Sequence, residues 1–158
     1  MNRELTVVLQ QLIHGREIAA LGTLHQGLPF VSMVPYAAAR DGCFVLHVSR
    51  LAAHTRDMLD NPDVSLLITE SEASGKMPQA LARVTVQGRA QMFDRDSEKH
   101  TEARELYLAR FPDAAQLFEF SDFSIFIIEP LSARVIAGFG QAVTITREDL
   151  TAALSAAT

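Results

Sequence analysis

Apolar residues along this chain switch between two periods. Leu5, Val8, Leu9, Leu12 and Ile13 recur at helical spacing, and Gly15 behind them suits a left-handed cap, so a short amphipathic helix is predicted first. From Glu17 to Leu24 the pattern tightens into a compact apolar run. Gln26-Gly27 then supplies a turn, and Leu28 to Ala37 follow as a second strand, which makes a hairpin. Asp41-Gly42 marks another tight turn. Beyond it Cys43 to Ser49 read as a strand with Phe44, Leu46 and Val48 on one face and Cys43, Val45, His47 and Ser49 on the other.

Leu51, Met58 and Leu59 fall on one side of a short helix that Asn61-Pro62 terminates, because proline disfavours helix in the residue before it. Val64 to Thr69 form the next strand, and Glu70 to Gln79, poor in large apolar groups, read as a surface loop. The clearest alternation runs from Leu81 to Met92. It sets Arg83, Thr85, Gln87, Arg89 and Gln91 against Ala82, Val84, Val86, Ala90 and Met92, so one face must meet water, a ligand or a partner. Asp96 to about Arg110 carries Ala103, Leu106, Tyr107 and Arg110 at helical spacing. Phe123 to Glu129 and Leu131 to Ile136 read as two strands divided by Pro130, and Thr146-Arg147-Glu148-Asp149 as the capping signature of a closing helix. About six strands with few interposed helices predict a mainly β (α+β) fold, an antiparallel barrel rather than a doubly wound parallel sheet.

The 158 residues fit one domain, 1–158, able to bury a core without staples. Fourteen basic against nineteen acidic residues give a net charge of −5 with no basic patch, which argues against a nucleic-acid partner. The apolar runs are too short to span a membrane. Cys43 is the single cysteine, so no internal disulfide forms, and with no signal-type opening the cytoplasm is the expected compartment.

Ser49-Arg50-Leu51-Ala52-Ala53-His54-Thr55-Arg56 passes from a strand end into a helix start with two hydroxyls, two guanidiniums and an imidazole. Such a junction suits an anion, because first-turn N–H groups carry partial positive charge. The plainer alternative is a strand-end hydroxyl beside a solvated face, and spacing alone favours it. Arg83 either reaches a ligand or decorates a wet barrel exterior. Ser32 and Tyr36 share a side with Phe30 and Val34 and either edge a planar ligand or belong to the core. The five histidines show no zinc-ligand spacing, so no metal site is expected. Gly138-Phe139-Gly140 is too short for a dinucleotide fingerprint, no serine stands in a nucleophile elbow, and Cys43 fits a small core residue.

Taken together, Ala20-Leu21-Gly22-Thr23, Gly27 to Tyr36, Ser49-x-Leu51-Ala52-x-His54-Thr55, Asn61-Pro62-x-x-Ser65-Leu66, Ala82 to Gly88 and Phe120-Ser121-Asp122-Phe123 resemble the pyridoxamine-phosphate-oxidase-like FMN-binding proteins, and among them the haem-utilisation branch. That resemblance implies a six-stranded split β-barrel with flanking helices, a homodimer holding FMN at its subunit interface, and FMN-dependent oxidoreductase chemistry on an unnamed substrate. It implies that Ser32, Met33 and Val34 lie along the isoalloxazine, that Ser49, Arg50, His54 and Thr55 hold the phosphate, and that Arg83 approaches the flavin or its phosphate. A haem-binding or haem-degrading protein, or a non-catalytic flavin module, is the alternative. This chain departs from the oxidase proper in having no tryptophan and no histidine after His100. The longer haem-utilisation relatives have an additional C-terminal domain or tail that carries a histidine suited to iron, and this chain departs from them in stopping at Thr158. Asp57 stands where this branch often shows asparagine, and a carboxylate there must point away from a phosphate.

Overall fold

The computed structural model describes residues 1–138 and 140–156; Phe139, from the glycine-flanked segment discounted above, lies outside them. Helix α1 (Arg3–Gly15) forms as its apolar spacing predicts, and Asn2 caps it by accepting from the Leu5 N–H at 2.8 Å. Its end differs from the expectation. Gly15 is the last helical residue rather than a left-handed cap, and Arg16 leaves in extended conformation. Strands β1 (Ile18–His25) and β2 (Leu28–Pro35) make the predicted hairpin. Gln26 and Gly27 both take positive φ, 51° and 81°, the pair that matches a two-residue turn to the twist of its strands.

The second strand stops earlier than predicted. Tyr36 is buried and donates its hydroxyl to the Ile13 carbonyl at 2.6 Å, while β3 (Ala37–Ala38) pairs with β4 (Phe44–Ser49) instead. Helix α2 (Ala53–Asp60), strands β5 (Asp63–Thr69) and β6 (Arg83–Met92), and helix α3 (Glu98–Arg110) stand where the sequence places them. A 3-10 run, Pro112–Glu119, follows α3 without having been anticipated.

Pro130 does not divide two strands. It lies inside one long strand, β7 (Phe123–Gly138), because the β6–β7 register shifts there and leaves Leu131 as the extra residue of a bulge. Gly88 makes the close approach possible, since a Cβ at that position would sit 2.6 Å from the Glu129 carbonyl oxygen. Strand β8 (Gln141–Thr146), also unanticipated, pairs with the second half of β7. Thr146 caps the closing helix α4 (Arg147–Ser155) as its signature predicts, accepting from the Asp149 N–H at 3.1 Å.

The sheet order is β2-β1-β5-β6-β7-β4-β3 with β8 beside β7, all antiparallel, so the sheet has eight strands rather than about six. Its concave face holds the core, where Leu21, Val34, Leu46, Leu66, Val86 and Phe126 meet apolar residues of α1, α2 and α4. No helix among the described residues is long and apolar enough to cross a membrane. The outer face is divided. Over β4 and the start of β7 it is roofed by α3 and the 3-10 run, which join Val45 and Ile125 to Ala103, Tyr107 and Phe118. Over β2, β1 and β5 it is open, with Ile18, Val31, Met33 and Leu67 pointing outward.

Candidate functional site

The junction between β4 and α2 is tightly wired. Ser49 Oγ donates to Asp122 Oδ2 at 2.7 Å and accepts from the Leu51 N–H at 3.1 Å, while the Arg50 N–H donates to the Asp122 carbonyl at 2.7 Å. Arg95 fixes the loop that carries Asp122 by donating to the carbonyls of Phe120 and Ser121 at 3.0 and 2.9 Å. The N-cap residue of α2 is Ala52, which offers no side-chain acceptor, so the first-turn N–H groups keep their anion-binding potential. Thr55 is fully buried and its hydroxyl has no hydrogen-bond partner. Arg50 is exposed, and burial of the half-buried His54 lowers its imidazole's proton affinity more than the charge of Asp57 raises it.

Asp57 points away from that junction. It is buried under β1, where it accepts from Thr23 Oγ1 at 2.9 Å and meets His25 Nδ1 at 2.7 Å. Burial opposes its charge. Even so, the hydrogen bonds from His25 and Thr23 and the nearby imidazoles hold its carboxyl below the usual range, so it is an anion at neutral pH. His25 and Thr23 were not singled out from the sequence as partners of Asp57, because only the packing of α2 on β1 brings them together.

On β2, Val34 is buried in the core, Met33 points outward, and Ser32 keeps a buried hydroxyl without a partner. Arg83 folds its guanidinium back onto the carbonyls of Leu81 and Gln79 at 2.9 and 3.3 Å. The protomer does not bring Arg83 to the Ser49 junction. Arg83 pairs with Ile136 and Ser49 with Phe123, opposite ends of β7 and roughly 40 Å apart along the strand at about 3.3 Å per residue.

Under the roof of the outer face, His47 stacks on Phe118 with ring centroids 3.7 Å apart and meets Tyr107 and Phe123. Burial first, then the charges of His100, Arg95 and Arg104, push its pKa down to about 4. Beside it opens a cavity of about 460 Å³ bordered by Cys43, Val45, Lys99, Glu102 and Arg147. Cys43 is buried there as expected, and burial together with Asp41 pushes its thiol up to about 11, far from a reactive thiolate.

A curled antiparallel sheet with helices at its ends, open on one half of its outer face, defines the class of pyridoxamine-phosphate-oxidase-like split barrels. In fold the chain matches a Clostridium acetobutylicum protein of the pyridoxinephosphate oxidase family with a TM-score of 0.71, at 10% identity over 95% of this chain and 99% of that one. The family model described as "CREG, beta-barrel" matches residues 2–152. The haem oxygenase HutZ of Vibrio cholerae is 35% identical over 126 residues, 79% of this chain and 71% of that protein. The heme binding protein of Mycobacterium smegmatis superposes with a TM-score of 0.86 at 27% identity, covering 96% of this chain and 62% of that structure. The chain therefore belongs to the CREG β-barrel family, is similar to HutZ in sequence, and shares the split-barrel fold of a pyridoxinephosphate oxidase family protein.

Proposed function

We propose that this protein binds haem as a homodimer of split barrels and handles it in the manner of the haem oxygenases. The observation that carries this reading is the open half of the outer face. Ile18, Val31, Met33 and Leu67 stand 45%, 68%, 61% and 37% exposed on three neighbouring strands, an apolar platform of the kind that marks a partner or a flat ligand. Arg83, Arg89 and Arg134 share that face on β6 and β7. There Arg83 lies against the Leu81 and Gln79 carbonyls, Arg89 beside Asp63 at 3.4 Å and Arg134 against Thr144 Oγ1 at 3.0 Å. Exchanged from these contacts, the guanidiniums suit the carboxylates of a tetrapyrrole. The donor chemistry thus fits an amphipathic planar anion, and the haem-binding relatives favour an iron porphyrin. Haem, when bound, supplies the iron for oxygen chemistry, while the chain's own residues hold its edge, cover its faces and exclude water.

Titration with haemin tests this. Uptake is expected to give a coordinated Soret band distinct from that of free haemin. A spectrum that remains that of free haemin throughout contradicts the reading.

FMN is the second candidate, favoured by the uncapped start of α2 and the buried, unpartnered Thr55 hydroxyl. Ser49, Arg50, His54 and Thr55 would hold its phosphate and Ser32, Met33 and Val34 would line its ring, with Arg83 reaching it only across a dimer. The Asp122 carboxylate bound to Ser49 works against a phosphate dianion at that spot. Quenching of FMN fluorescence by the protein, weakened in the double variant His54→Ala, Arg83→Ala, would support an FMN-dependent oxidoreductase. Unquenched fluorescence would remove it.

A further inference from the structure

The roof over the outer sheet face is filled at one end and hollow at the other. Toward Phe123 the rings of Tyr107 and Phe118 close on His47. Toward Glu129 the same helix, α3, stands off the sheet over the cavity of about 460 Å³, a volume within the roughly 300–1,000 Å³ typical of small-molecule sites. Val45 of β4 and Ile127 of β7 floor this space, and Phe93 and Leu106 wall it. Ala39 and Ala103 border it too, and neither side chain is large enough to fill it.

The rim of the cavity carries more negative than positive charge. Three carboxylates border it, those of Asp41, Glu102 and Glu129, against the two cations Lys99 and Arg147. Glu129 accepts from Arg147, and the Lys99 ammonium lies 5.9 Å over the Phe93 ring. Neither Asp41 nor Glu102 forms an ion pair among the described residues. Asp41 is pinned at the rim because its Oδ1 accepts from the Cys43 N–H at 3.0 Å. The buried Cys43 thiol registers that field: burial and then the charge of Asp41 push it up to about 11, Glu129 adds to the rise, and Arg147 opposes it. An apolar floor under an acidic rim favours a hydrocarbon body with a cationic end.

We infer that this cavity binds a small amphipathic amine, its apolar body on Val45, Leu106 and Ile127 and its ammonium beside Asp41 and Glu102. The Phe93 ring, already faced by one ammonium, offers a further surface to a cation. An anion of the same shape would leave both carboxylates uncompensated and add repulsion. The cavity lies under the roofed half, on other strands than the open platform, so the inference stands independently of the haem reading.

Fluorescence titration of the full chain with monodansylcadaverine tests this against two relatives of the same body, its N-acetyl derivative without the charge and 6-(dansylamino)hexanoate with the charge reversed. The amine is expected to give a saturable, blue-shifted enhancement, with the acetyl derivative about three- to tenfold weaker and the carboxylate weaker still. Asp41→Asn combined with Glu102→Gln should bring the amine down to the affinity of the acetyl derivative. Ala103→Leu, which fills the cavity from α3, should remove the enhancement, and Ala39→Phe should do so from the strand side. Absence of saturable enhancement with the amine overturns the inference, and equal affinity for all three probes does the same. Unchanged binding in a folded Ala103→Leu places the amine elsewhere and overturns it too; should that variant not fold, Ala39→Phe decides by the same criterion.

Discussion

The two halves of the outer sheet face are made of similar residues and finished differently. Over β4 and the start of β7, Val45 and Ile125 are fully covered by Ala103, Tyr107 and Phe118 of the same chain. Over β2, β1 and β5, Val31, Met33 and Ile18 are as apolar and have no cover among the described residues. Burying an aliphatic side chain is worth roughly 1.5–3 kcal/mol, so the roofed half contributes to folding, while the open half still holds that free energy for a partner or ligand. The roof also encloses an imidazole: His47 beneath it is held neutral by its surroundings.

The largest expected effect lies on the roofed side. Tyr107→Ala removes a ring packed against His47, Phe111 and Phe118 and should cost about 3–5 kcal/mol of stability, read by chemical denaturation. A loss below about 1 kcal/mol would show that α3 and the 3-10 run are a loose cover.

Acid comes next. His47 takes up a proton near pH 4 in the folded chain and near its ordinary 6.5 when unfolded, so between those values the unfolded chain binds more protons. Stability should therefore fall as pH drops from 6.5 to about 4, by up to about 3 kcal/mol, and level off below. His47→Phe should flatten that slope in a pH series of denaturation curves, and an undiminished slope would place the acid-sensitive group elsewhere.

The smallest effect on the protomer belongs to the open side. Val31→Lys combined with Met33→Lys should change protomer stability by no more than about 0.5 kcal/mol per site, since both side chains already meet water. On the dimer reading proposed above, the wild type should sediment as a dimer and the same double variant as a monomer. If it remains a dimer, the subunit contact lies on another surface.

Much of this architecture is legible in local chemistry. The nearly strict alternation from Leu81 to Met92, the Gln26-Gly27 turn and the Thr146 cap depend on neighbours in sequence. The structure forms each, with the strand beginning two residues later than expected, at Arg83. Other features depend on distant residues. The continuity of β7 through Pro130 requires Gly88 on another strand, and the pairing of His25 with Asp57 requires α2 to pack on β1. Ser49 was identifiable as a polar junction, but its capture by Asp122 was not, because the two are joined only where β4 meets β7. Strand β8 escaped notice because Gln141, Thr144 and Thr146 blur the apolar period.

Sedimentation velocity of the wild-type protein with added haemin, monitored at the Soret wavelength and at 280 nm as roughly independent signals, tests the central claim most directly. The account predicts that haem absorbance and protein sediment together at the mass of a dimer. Haem absorbance left behind in the supernatant, or carried by a monomer, would contradict it.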